Sequence, residues 1–176
     1  MMNKKLRINN KHMRKLAFFI FLCIMQMNIK TYSQIQVGTW REHLPFSHAI
    51  SVTEADNKIF CASVAGLTSY NKSDNSVETL TKINGLSDNL ISTINYSKDF
   101  KTLVVAYTNG NIDLVSDYSI YNIPDIKQKD LTGSKTINSI LFVGKYAYLS
   151  CDFGIVVLNI EKKEIKDTYY IGEGGT

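Results

Sequence analysis

Acidic residues are missing from the first 33 positions, which carry Lys4, Lys5, Arg7, Lys11, Arg14, Lys15 and Lys30 instead. A second shortage follows directly. The apolar run Leu16 to Met27, interrupted only by Gln26, falls well short of the roughly 20 residues that a membrane-spanning helix needs. A basic start, a short apolar stretch and the small-residue end Thr31-Tyr32-Ser33 before Gln34 form the layout of a cleaved secretory signal peptide. Residues 1–33 are therefore expected to be removed on export. Ile20-Phe21-Leu22 ahead of Cys23 lacks the small residue of a lipoprotein processing site, which argues against lipidation. Without the leader, 13 basic residues face 16 acidic ones, a net charge of −3 in place of +4. Residues 34–176 hold no clustered basic face, so no nucleic-acid partner is expected. Lys162-Lys163 stands between Glu161 and Glu164 and reads as a solvated turn.

Cysteine and histidine are equally scarce. Only Cys61 and Cys151 remain outside the leader, at positions two places out of step in repeats that would not be neighbours. A disulfide requires Cα atoms within about 7 Å, so the pair is expected to be free and to act as small core residues. Only His43 and His48 remain, in His-Leu-Pro-Phe-Ser-His, and no Cys/His spacing matches a metal site. Both histidines read as loop residues, because no base, nucleophile or metal partner is signalled near them. No metal and no cofactor are expected.

What the chain does have is a period. Ile59 to Leu67, Val104 to Asn111 and Tyr148 to Ile155 align on Gly66, Gly110 and Gly154, 44 residues apart in both steps. Short β-rich runs at that spacing predict four-stranded β-propeller blades. The expected strands are 49–53, 58–63, 67–70 and 77–81, then 90–96, 102–107, 112–115 and 119–123, then 136–143, 146–151, 155–160 and 164–171. Polar turns such as Ala55-Asp56-Asn57 and Val143-Gly144-Lys145 separate them. No 10-residue segment after the leader carries a helical stripe, and the fold class is all-β. The nearly unbroken apolar runs Leu103 to Tyr107 and Tyr146 to Leu149 suit strands covered on both faces, as in stacked blades. The organisation expected is a leader over 1–33, an outer-strand latch segment over 34–47 that includes Trp40, and a partial propeller over 48–176. Its blades cover about 48–83, 90–124 and 136–171. Three blades fall short of the roughly four to eight of a closed ring and would leave the apolar face of the last blade uncovered, so the sequence is expected to be a truncated piece, with blades supplied from elsewhere as the alternative.

The repeated glycines are expected to supply positive φ in a tight turn, and Asn109-Gly110-Asn111 reads as a type I′ turn. Asp88, Asp113, Asp125 and Asp152 read as turn and strand-end residues, not paired catalytic carboxylates. Gly172-Glu-Gly-Gly lacks the Lys and Ser/Thr of a phosphate loop. Of Tyr70, Tyr96, Tyr107, Tyr118, Tyr121, Tyr146, Tyr148, Tyr169 and Tyr170, most are expected between blades, with some available to stack on sugars. No catalytic, cofactor-binding or metal residue is assigned, and the ligand-binding residues are left open. A propeller lyase or hydrolase is disfavoured by the missing base, nucleophile or metal signature.

Two segments carry a family resemblance. Lys82-Ile-Asn-Gly-Leu-Ser-Asp-Asn-Leu-Ile91 resembles the NGLxxNxI linker of the two-component regulator propeller repeats of Bacteroidetes sensors, although the next junction, Asp125 to Lys135, is longer and different. Val37-Gly-Thr-Trp-Arg-Glu-His-Leu-Pro-Phe46, Asn109 to Leu114, Ile120 to Ile126 and Gly154 to Leu158 resemble the PorZ-type propellers of the type IX secretion system, a likeness over nearly all of residues 36–172. That resemblance implies two propellers and a C-terminal sorting domain at the outer membrane. It implies partners too: a sortase-like peptidase and outer-membrane proteins of a complex that removes the cargo's sorting signal and joins cargo to anionic lipopolysaccharide. The family member is not itself the peptidase. It contributes lipopolysaccharide recognition and supports the sortase partner. The alternative is the periplasmic ligand-binding propeller of a hybrid two-component histidine kinase.

Overall fold

In the computed structural model, residues 48–117 and 119–171 are described, together with the helical positions Arg14, Lys15, Phe18 and Phe19. The latch segment with Trp40, His43, Tyr118 and Gly172 to Thr176 lie outside the described residues, as does most of the leader.

Twelve strands form three antiparallel sheets, each in simple chain order. Blade one is β1 (Ala49–Ala55), β2 (Lys58–Ser63), β3 (Gly66–Asn71) and β4 (Val77–Leu80). Blade two is β5 (Ile91–Ser97), β6 (Thr102–Tyr107), β7 (Ile112–Ser116) and β8 (Ser119–Ile123). Blade three is β9 (Ile137–Val143), β10 (Tyr146–Cys151), β11 (Gly154–Asn159) and β12 (Glu164–Tyr170). The three innermost strands β1, β5 and β9 pack side by side, which places them around a common axis. Asn95 ties them together: Thr53 Oγ1 donates to its Oδ1 at 3.2 Å, and its Nδ2 donates to the Ile140 carbonyl at 2.8 Å.

Each innermost strand carries one extra residue near its start. The pairing register shifts between Ala49 and Ser51, between Ile91 and Thr93, and between Ile137 and Ser139. Such β-bulges bend and twist a strand, which suits chains converging on an axis. The one helix among the described strand-bearing residues is the single turn α1 (Asp125–Gln128), behind Pro124 in the junction of blades two and three.

The glycine expectation needs correction. Gly110 has φ +81 and Gly154 φ +146, but Gly66 is not in the positive-φ region. What Gly66 and Gly154 share is crowding. A β-carbon at Gly66 would lie 2.6 Å from the Leu80 carbonyl oxygen, and one at Gly154 would collide with the Tyr169 carbonyl. These glycines let the outermost strand close onto β3 and β11. Gly110 instead yields to α1, since its β-carbon would meet Ile126 Cγ2 at 2.7 Å. Nor is the turn there type I′, for Asn109 does not have positive φ. The Gly110 amide donates to the Tyr107 carbonyl and the Tyr107 amide to the Asn111 carbonyl, both at 3.1 Å, giving a three-residue loop with Gly110 as the bulge.

Candidate functional site

Two seams join the blades, and their rungs run across each sheet. Blade two presents Val104, Leu114, Ala106, Ile112 and Ile123 to blade three, which answers with Phe142, Ala147, Leu158, Leu149 and Val156; most are fully buried. Blade one presents the rung Phe60, Ser69 and Glu78 to blade two, along with Ala62, Leu67 and Leu80. Ser69 sits where blade two has Leu114. That polar rung leaves the first seam unfilled, with a cleft of about 630 Å³ between blades one and two. Leu67, Leu80, Leu103 and Val115 form its floor, and Tyr96 stands at its wall. The Tyr96 hydroxyl donates to Asp56 Oδ2 at 3.3 Å; partial burial and the Asp56 carboxylate push its pKa up, so it remains a donor. Lys58 Nζ lies 3.8 Å from Glu78 Oε2.

At the opposite end of the same seam lies a polar cluster on the junction Thr81 to Leu90. Asp113 is fully buried within β7. It accepts from the Tyr107 hydroxyl at 2.6 Å, the Ser87 amide at 2.8 Å and Asn122 Nδ2 at 2.9 Å. Burial, with the adjacent Asp113, drives the Tyr107 hydroxyl pKa far above its ordinary range. Asp88 binds Lys127 Nζ at 2.6 Å, Lys82 Nζ at 3.6 Å and Asn109 Nδ2 at 2.6 Å. Its burial opposes ionisation, but hydrogen bonds from Lys127, Asn109 and the Asn89 amide outweigh that and hold the carboxyl well below the usual range. Leu86 is buried in the seam core, and Asn84 folds back to accept from the Thr81 amide and to donate to the Thr79 carbonyl at 3.0 Å. The motif Asn84-Gly-Leu-Ser-Asp-Asn89 thus works as a blade clamp. The spacing that marks the linker was legible in sequence; its two carboxylate anchors were not.

The other residues singled out scatter. Asp113 is the second residue of β7 and is fully buried among the hydrogen-bond partners named above. Asp125 opens α1 in an exposed position, and Asp152, in the β10–β11 turn, accepts from Asn138 Nδ2 at 2.7 Å, which lowers its pKa. His48 is exposed at the start of β1. Cys61 and Cys151 are free; Cys151 is buried, which pushes its pKa up to about 12, whereas Cys61 is half-buried on the outer face of blade one and so is not a core residue. The tyrosines also correct the reading. Tyr107 and Tyr96 pack in the first seam, whereas Tyr70, Tyr121, Tyr148 and Tyr169 are exposed. Leu141 at 64% and Tyr169 at 55% exposure mark the uncovered face of blade three; Val52 at 62% marks that of blade one. Among the described residues no three His, Cys, Asp or Glu side chains converge as metal ligands.

Among solved structures, PorZ, a surface component of the type IX secretion system of Porphyromonas gingivalis, shares 34% identity at a TM-score of 0.65 over 69% of this chain. The chain covers 16% of that protein. The extracellular domain of a two-component system protein from B. thetaiotaomicron aligns at 15% identity and TM-score 0.61, over 75% of this chain and 18% of its own. AztD from Citrobacter koseri aligns at 15% and 0.54, over 73% of this chain and 35% of its own. At such identities the last two show the fold alone. Comparison with curated protein sequences finds no match. The model of the PorZ N-terminal β-propeller domain of the type IX secretion system matches residues 59–176, well over half of the sequence, and the chain belongs to that family.

Proposed function

We propose that this chain supplies the opening blades of the first propeller of a non-enzymatic subunit of the type IX secretion machinery. In this reading, residues 1–33 direct export, residues 34–47 latch the propeller, and the protein works at the outer membrane. There it supports removal of the sorting signal from cargo and attachment of cargo to anionic lipopolysaccharide, beside a sortase-like peptidase and outer-membrane partners. The observation that carries it is the family match over residues 59–176 together with the 34% identity to PorZ. Asp88 and Asp113 are both engaged in hydrogen bonds that hold the blade junction. No helix among the described residues is long and apolar enough to cross a membrane. Deleting the gene is expected to leave sorting signals uncleaved on secreted cargo; normal cargo maturation in the deletion strain would refute the role.

A sensor propeller is the second reading, favoured by the NGLxxNxI junction Asn84 to Ile91. A transmembrane helix followed by a kinase core further along the gene would establish it and remove the first.

A further inference from the structure

We propose that the cleft between blades one and two is a binding site for an uncharged sugar unit of a glycan. Its volume of about 630 Å³ lies within the roughly 300–1,000 Å³ of small-ligand sites. The floor is apolar, made by Phe60, Leu67, Leu80, Leu103 and Val115. The rim is mixed: the carboxylates of Asp56, Glu78 and Asp117 share it with the ammonium groups of Lys58 and Lys101, beside the Tyr96 hydroxyl. A rim with both strong acceptors and strong donors suits groups that are donor and acceptor at once, and the hydroxyl is that group. A pyranose ring adds an apolar C–H face for the floor and the aromatic wall. A hydrocarbon chain would strip water from five charges without replacing any hydrogen bond. An anionic ligand would meet three carboxylates against two ammoniums.

The repeat itself argues that the space is specific to this seam. Ladder pairing makes Phe60, Ser69 and Glu78 equivalent to Val104, Leu114 and Tyr121 of blade two, where the leucine fills the matching volume. Ser69→Leu therefore installs in blade one the side chain that the fold already accommodates one blade later. It closes the cleft without a new backbone demand.

The test uses the full-length protein on a printed array of uncharged, phosphorylated and sulfated oligosaccharides, followed by saturation-transfer NMR with any uncharged glycan retained. The expected result is retention of an uncharged glycan, its loss in Ser69→Leu, and at least tenfold weaker binding in Asp117→Ala, a change at an exposed turn. No uncharged glycan retained, retention of anionic glycans alone, or binding unchanged in both variants would overturn the proposal. The site stands apart from the secretion reading. A strain carrying Ser69→Leu that loses glycan retention yet matures its cargo normally separates the two.

Discussion

Between blades two and three, Val104, Leu114, Leu149 and Leu158 meet in a seam closed to water; between blades one and two, the corresponding rung reads Phe60, Ser69 and Glu78 and the seam stands open. The two seams share backbone geometry, strand order and innermost-strand bulges. They differ in a few side chains per rung. The lesson concerns division of labour. Where apolar rungs match, burial holds the blades together. Where they do not, the chain substitutes a clamp of hydrogen bonds around Asp113 and Asp88 at one end and leaves space at the other. In blade three the place of Asp113 is taken by Val156, so the clamp is a property of the first seam and not of the repeat.

Four measurements would break or sharpen that contrast. The largest effect is expected from Leu149→Ala in the closed seam, which leaves a cavity in tight packing and costs about 4 kcal/mol. Leu80→Ala at the cleft floor should cost only about 1 kcal/mol, because its void opens onto space already present. Urea unfolding of the full-length protein compares the two, and equal losses would erase the distinction between the seams. Next, Asp113→Val copies the blade-three residue but strands the Tyr107 hydroxyl and the Ser87 amide, at about 3 kcal/mol, while Asn122 Nδ2 keeps Asn111 Oδ1 and the Ile112 carbonyl. Adding Tyr107→Phe removes one stranded donor and should recover about 1 kcal/mol, a coupling read from the double-mutant cycle. Ser69→Leu in the open seam should raise stability by about 1 kcal/mol by burying a side chain in vacant space; a loss instead would show the cleft to be too narrow to fill. The smallest effect is electrostatic. Because the folded Asp88 carboxyl is held below its ordinary pKa, the stability it lends is present above about pH 4 and is lost as pH falls below that value. Melting temperatures across that range should fall less steeply in Lys127→Ala, which has less of this stabilisation to lose.

Strand positions were legible at nearly residue level: β2, β6, β8 and β10 fall where short apolar runs between polar turns put them. Glycine was legible as a marker but not as a cause. The 44-residue spacing of Gly66, Gly110 and Gly154 covers different contacts, a carbonyl of the outermost strand at Gly66 and Gly154 and the Ile126 side chain at Gly110. The clamp was half legible. Asn84-Gly-Leu announces a junction, but nothing local tells Asp113 from a turn aspartate, because its partners Ser87 and Tyr107 come from a linker and another strand. Tyrosines were least legible of all, since one tyrosine suits a seam, a free face or an edge equally well.

Composition and period alone determined the all-β class and the three four-stranded blades, because strand patterning and turn chemistry act over a few residues and repeat. Which seam closes and which stays open was decided only by tertiary structure. A rung's partner lies across a blade boundary some 40 residues away, and filling or failing to fill a volume is a property of both sides at once.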